Sequence, residues 1–164
     1  RYGMNPEQVD EAIRLFRERY TTVGKFENFP YDGVSQLLER LQADGYRLFI
    51  ATSKPENIAI EVLQHFQLDG YFEKICGASL DHSRETKEAV LECLKQQCHI
   101  GNAVMIGDTE FDVKGAKEHG IPCIGVTWGY GNRKSMEDAG AIAIASTMDE
   151  LYDLIVQQAD AALC

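Results

Sequence analysis

Five side chains at three places in this sequence could share one piece of chemistry: Thr52 and Ser53, Lys87, and the pair Asp108 and Asp112. Asp108 follows the apolar run Ala103, Val104, Met105, Ile106 and the turn residue Gly107, and Asp112 comes four residues later. Two carboxylates converging at a strand end offer the hard oxygen ligands that suit Mg²⁺. A dianionic phosphate needs hydroxyl and backbone N–H donors, which Thr52 and Ser53 can supply. It also needs a cation, Lys87, and a metal held by carboxylates. The set therefore points to phosphoryl transfer on a small phosphorylated molecule.

Each residue also has a local reading. Asp108 can cap a helix, Asp112 can be a solvated helix charge, and Thr52 and Ser53 can be a strand end and a helix cap. Lys87 opens a predicted helix, where a cation opposes the macrodipole, and a residue placed against local preference often serves a site. No DxD pair, no GxSxG elbow and no cysteine in a phosphate loop occurs in the chain, so these residues include no evident nucleophile.

The elements that must position this set can be read from the spacing. Asn5 and Pro6 open a helix with an apolar stripe at Val9, Ile13, Phe16 and Tyr20. Asp32 and Gly33 open another, with Val34, Leu37, Leu38 and Leu41 facing inward, and Gly45 closes it. Residues 46–52 predict a strand ending at Thr52, with Pro55 in the first turn of a helix carrying Ile58, Val62, Leu63 and Phe66. A short strand near 74–77, a polar loop over 79–85 and a helix with Val90, Leu91 and Leu94 follow. The run 103–106 predicts a strand covered on both faces. Beyond the helix after it come a strand at 123–127, a glycine-rich loop at 128–131, a small strand near 141–145 and a capping box at 147–150 that opens the last helix. Strands alternating with helices predict an α/β fold with a parallel sheet flanked by helices, and in such sheets ligands bind at the carboxyl ends of the strands.

At 164 residues, 45% of them hydrophobic, the chain has the length of one domain with a real core. Its formal charge of -10 argues against nucleic acid or an anionic membrane as a main partner. No apolar run approaches the roughly 20 residues of a membrane span. The five cysteines, Cys76, Cys93, Cys98, Cys123 and Cys164, form no CxxC pair. Cys76 and Cys123 read as small buried hydrophobes, and a reducing cytoplasm is the expected compartment. Oligomeric state is not readable.

The order of Thr52 in FIATSKP, Lys87 in RETKEAVL and the carboxylates in IGDTEFD resembles motifs II, III and IV of the haloacid dehalogenase-like hydrolase superfamily. The phrases ATSKP, MIGDTEFDVKGAKEHGIPCIGVTWGYG and the closing AGA are similar to those of its phosphoglycolate phosphatase-like members. The resemblance implies a Rossmann-like core over residues 29–164 and a Mg²⁺-dependent phosphatase acting on a phosphoglycolate-like metabolite through an aspartyl-phosphate. It assigns Thr52, with Ser53, to the phosphate, Lys87 to charge neutralisation, and Asp108 and Asp112 to the metal. The loop at 127–131 would border the pocket. Residues 1–28 resemble the end of a helical cap.

The family's motif I strand, with its DxDGT nucleophile, does not occur in these residues. It belongs between the strands that end at Thr52 and Ile106, and the nucleophile is expected to lie outside this sequence. Without it the two neighbouring strands would carry unpaired backbone groups, at about 1–3 kcal/mol for each one buried, and the 164 residues alone are expected to be inactive. Two other readings stay open: a non-catalytic binding protein of the same fold, and a phospho-signalling receiver domain. The receiver domain expects its acidic residues first and its lysine last, the reverse of the order here.

Overall fold

The computed structural model describes residues 3–79, 83–84 and 86–161. Cys164 and part of the loop at 79–85 lie outside the described residues. Helix α1 (Pro6–Thr22) leads into a 3₁₀ turn (Gly24–Phe26), and then helices and strands alternate: α2 (Val34–Ala43), β1 (Phe49–Pro55), α3 (Glu56–His65), β2 (Lys74–Ala78), α4 (Lys87–Cys98), β3 (Met105–Gly107), α5 (Glu110–Glu118), β4 (Cys123–Val126), α6 (Arg133–Ala139), β5 (Ala143–Ala145) and α7 (Met148–Ala161). This is the expected α/β fold, and every strand pairing is parallel.

The pairing falls into two groups, β1 with β2, and β3 with β4 with β5. β4, flanked on both sides, is buried along its whole length. β3 and β1 each have one unpaired edge among the described residues, and both are largely half-buried. The run 103–106 is covered on both faces as expected, Val104 and Ile106 packing on the α2 and α7 side and Met105 on the α5 and α6 side; Met105 and Ile106 are half-buried because the outer edge of β3 is unpaired among the described residues.

Local rules account for most element ends. Asn5 caps α1 reciprocally: its side chain accepts from Gln8 N at 2.9 Å and its own N–H donates to Gln8 Oε1 at 3.0 Å. Thr147 accepts from Glu150 N at 3.1 Å ahead of α7. The predicted strand at 46–52 begins later, at Phe49. Tyr46 N still donates to Leu41 O in the exit of α2, and the ladder with β2 starts at Phe49 opposite Lys74. Helix α6 had no sequence expectation; Asn132 caps it, accepting from Ser135 N at 2.9 Å, and Met136 anchors it with no exposed surface.

The core lies in layers. α2 and α7 cover one face through Leu37, Leu41, Leu151 and Ile155 against Ile124, Val126 and Ala145. On a second face Val113, Ala116 and Met136 meet Cys123 and Ile144. Cys76, Val90 and Leu94 join α4 to β2. The stripe on α1 has no such cover: Val9, Ile13 and Phe16 are 41%, 43% and 66% exposed, and only Tyr20 in that stripe is half-buried. Among the described residues no helix is long and apolar enough to cross a membrane.

Candidate active site

Thr52, Ser53 and Lys54 stand where the β1–β2 ladder breaks register. Four steps along β1, from Ala51 to Pro55, oppose only two along β2, from Cys76 to Ala78. A bulge of this kind frees side chains from the pleat and re-aims them. Thr52 Oγ1 accepts from Lys54 N at 3.1 Å, which leaves its hydroxyl proton free to donate. Ser53 is exposed.

Lys87 is the first residue of α4, after the cap Thr86, whose hydroxyl accepts from Ala89 N at 3.2 Å. Its ammonium donates to Ala51 O, the carbonyl preceding Thr52, at 2.9 Å, and lies 2.9 Å from Asp112 Oδ1. One cation thus joins the end of β1 to the start of α5. Gly115 makes room for it, since a Cβ there would stand 2.9 Å from Lys87 Cγ.

Asp112 is 7% exposed, and both its oxygens are occupied. Oδ1 faces Lys87, and Oδ2 accepts from Thr109 Oγ1 at 2.9 Å, Thr109 N at 3.1 Å and Asp108 N at 3.2 Å. Burial works to raise its pKa, but the hydrogen bond and charge of Lys87 and the Thr109 donors outweigh it, holding the carboxyl below its ordinary value. Asp112 braces the turn that carries Asp108.

Asp108 is held from the opposite side by the glycine-rich loop that the resemblance places at the border of the pocket. Tyr130 N donates to Asp108 Oδ2 at 2.8 Å and Gly131 N to Asp108 O at 3.0 Å. Gly129 permits the approach: a Cβ there would lie 2.2 Å from the Asp108 carboxylate. Among the described residues Oδ1 of Asp108 has no protein donor, whereas both oxygens of Asp112 do.

The donor set at Asp108 fits Mg²⁺. The ion keeps several waters and is bound through one or two carboxylates together with substrate phosphate oxygens, so a free oxygen at Asp108 fits it without an all-protein cage. Among the described residues no three His, Cys, Asp or Glu side chains gather into such a cage.

Sequence reasoning missed Arg84. Its guanidinium donates to Gly77 O, Glu56 Oε2 and Cys93 Sγ, each at 2.8 Å, tying the approach to Lys87 to the ends of β1 and β2. Its one signal was an arginine three residues ahead of Lys87. Cys76 and Cys123 are buried as expected, and burial pushes their thiols up to about 11 and about 12. A separate cavity of about 650 Å³ opens at the N-terminal ends of α2 and α7, lined by Tyr31, Leu37, Arg40, Trp128 and Met148 among others; none of Thr52, Lys87 and Asp108 lines it.

Comparison with known proteins matches residues 1–126 to the family described as haloacid dehalogenase-like hydrolase. A 5'-nucleotidase of Pseudomonas aeruginosa is 37% identical over 137 residues, covering 82% of this chain and 62% of its own. Tyrosine-protein kinase PtkA of Mycobacterium tuberculosis is 39% identical over 153 residues, covering 91% and 53%. A phosphoglycolate phosphatase of Vibrio vulnificus is 27% identical over 162 residues, covering 95% and 71%. The crystal structure of a predicted phosphatase from Clostridium acetobutylicum superimposes with a TM-score of 0.87 at 40% identity, covering 95% of this chain and 73% of that one. The chain thus spans less than two thirds of the length of the 5'-nucleotidase and about half that of the kinase.

Proposed function

The chain belongs to the haloacid dehalogenase-like hydrolases, and from that membership and the geometry of Lys87 we propose that its parent protein is a Mg²⁺-dependent phosphatase of a small phosphorylated metabolite. The observation that carries the reading is the single ammonium joining the Thr52 end of β1 to the Asp108–Asp112 turn. It draws phosphate donors, a cation and a metal-binding carboxylate to the carboxyl ends of two strands, where open α/β sheets bind ligands.

In this reading the Thr52 hydroxyl and the Ser53 N–H donate to the phosphate oxygens, and Lys87 neutralises negative charge on the attacking carboxylate and the transferring phosphoryl group. Asp108 would hold Mg²⁺, and Asp112 would support that site by fixing the turn and Lys87. Bound there, the ion would neutralise charge on the phosphoryl oxygens. An aspartate outside these 164 residues attacks phosphorus, the alcohol leaves, and water then releases phosphate from the aspartyl-phosphate. The unpaired edges of β1 and β3 are consistent with a strand between them that carries this aspartate.

Residues 1–28 are proposed as part of a helical cap and 29–164 as the core. A phosphoglycolate-like ester is the named candidate, and the 5'-nucleotidase relative adds nucleoside monophosphates to the screen. A reducing, cytoplasmic compartment is proposed for the parent protein.

The test is a screen of phosphate esters with and without Mg²⁺, using protein produced from its whole natural coding sequence, beside an Asp108→Asn variant. Mg²⁺-dependent release of phosphate that this variant loses is the expected result. No release from any ester, or full activity in Asp108→Asn, overturns the reading.

A further inference from the structure

Two lysines meet the α1 segment and its turn, and they are partnered differently. Lys25, in the turn, is 8% exposed and paired with the Glu61 carboxylate. Lys54 is turned out of the ladder by the bulge that also presents Thr52, and its ammonium donates to the hydroxyl of Tyr20 on α1, a neutral partner. It also lies 5.1 Å from the centre of the Tyr20 ring. Among the described residues no carboxylate pairs with Lys54. Tyr20 is in turn the half-buried member of an otherwise exposed stripe, stacked on Phe16 with ring centroids 5.5 Å apart.

A phenol that accepts from an ammonium keeps its own O–H to donate. Lys54 N–H and Tyr20 O–H are therefore two donors, one of them charged, converging from a strand end and a helix, with no carboxylate of the described residues paired to either. In a chain of formal charge -10, a part-buried cation left with a neutral partner is a place where an anion from outside would be held.

We propose that Lys54 and Tyr20 form a subsite for a second anionic group, a carboxylate or a second phosphate, on the ester whose phosphate is bound at Thr52. Lys54 is then a specificity residue: it selects phosphorylated acids or bisphosphates over esters of neutral alcohols. This rests on the reading of the site as a phosphate-ester site. The Lys54 N–H bond to Thr52 Oγ1, at 3.1 Å, ties the two subsites through one turn of backbone.

The experiment is calorimetric titration of protein produced from its whole natural coding sequence, at fixed free Mg²⁺, with methylphosphonate, phosphonoacetate and methylenediphosphonate. The wild-type protein is expected to bind one of the two doubly anionic probes about tenfold or more tighter than methylphosphonate, as a charge-assisted hydrogen bond allows. The preferred probe identifies carboxylate or phosphate. The preference collapses in Lys54→Met, survives in Lys54→Arg and weakens in Tyr20→Phe. Equal affinity of the wild-type protein for all three probes overturns the proposal, as does a preference that survives Lys54→Met; the wild-type comparison decides even if a variant fails to fold. A preference held by a protein that hydrolyses no ester sinks the phosphatase reading and keeps the subsite. Hydrolysis without any preference does the reverse.

Discussion

Lys87 Nζ stands 2.9 Å from Asp112 Oδ1, with the two side chains only 16% and 11% exposed, and the same nitrogen lies 2.9 Å from the carbonyl of Ala51. A buried carboxylate and a half-buried cation thus neutralise each other between β1 and the start of α5. Removing either one leaves the other charged and poorly solvated.

Lys87→Met is expected to cost about 3 kcal/mol of stability, the scale for breaking one side of a buried ion pair. Urea unfolding followed by circular dichroism measures it. The proposed phosphatase activity of the parent protein should fall with it, and a cost below about 1 kcal/mol, the scale of exposed pairs, would show that the pair is effectively solvated.

The pH dependence follows from Asp112, whose folded carboxyl titrates below its ordinary value. A depressed folded pKa contributes stability that is complete above the unfolded value, about 3.9, and is lost as pH falls through the folded value. The difference in unfolding free energy between wild type and Asp112→Asn should therefore be largest above about pH 5 and shrink steadily toward about pH 2. A difference constant over that range contradicts the assignment.

Gly129→Ala puts a methyl group where the Asp108 carboxylate now lies, 2.2 Å from the ideal Cβ position. Either the loop or Asp108 must move, at a cost of about 1–3 kcal/mol. Mg²⁺ affinity, read by titration calorimetry, should drop at least about tenfold. Affinity equal to wild type would separate the loop from the metal site.

Arg84→Met removes donors to Gly77 O and Glu56 and so loosens the approach to Lys87 without touching the phosphate site. The expected loss of stability is about 1–2 kcal/mol. With Lys87 in its proposed role on charge that develops during transfer, the expected kinetic signature is a fall in kcat larger than the rise in KM. An unchanged kcat would confine Arg84 to holding the loop.

What was legible in the sequence was short in range. The caps at Asn5 and Thr147, the buried faces of α2 and α4 and the ends of β3 and β4 depend on residues a few positions apart, and the spacing of apolar and capping residues encodes them directly. β1 was misplaced at its start because the ladder with Lys74, not β propensity, decides where a strand is paired. Helix α6 was overlooked because a seven-residue helix carries too short a pattern to stand out from a loop, and it is held by the burial of Met136.

By itself, then, the sequence determined which chemical groups are present, the order Thr52, Lys87, Asp108, Asp112, and the alternation of elements that sets them at strand ends, since these depend on residue type and local spacing. Only the tertiary structure decided how the groups are partnered. Lys87 reaches Ala51 across 36 residues, Tyr130 reaches Asp108 across 22, and Tyr20 meets Lys54 across 34. It also separated the two aspartates, leaving one oxygen of Asp108 open and filling both of Asp112. The reason is physical: a side chain's hydrogen-bond partners over such distances are set by how helices pack on strands, and no local pattern of residues specifies that packing.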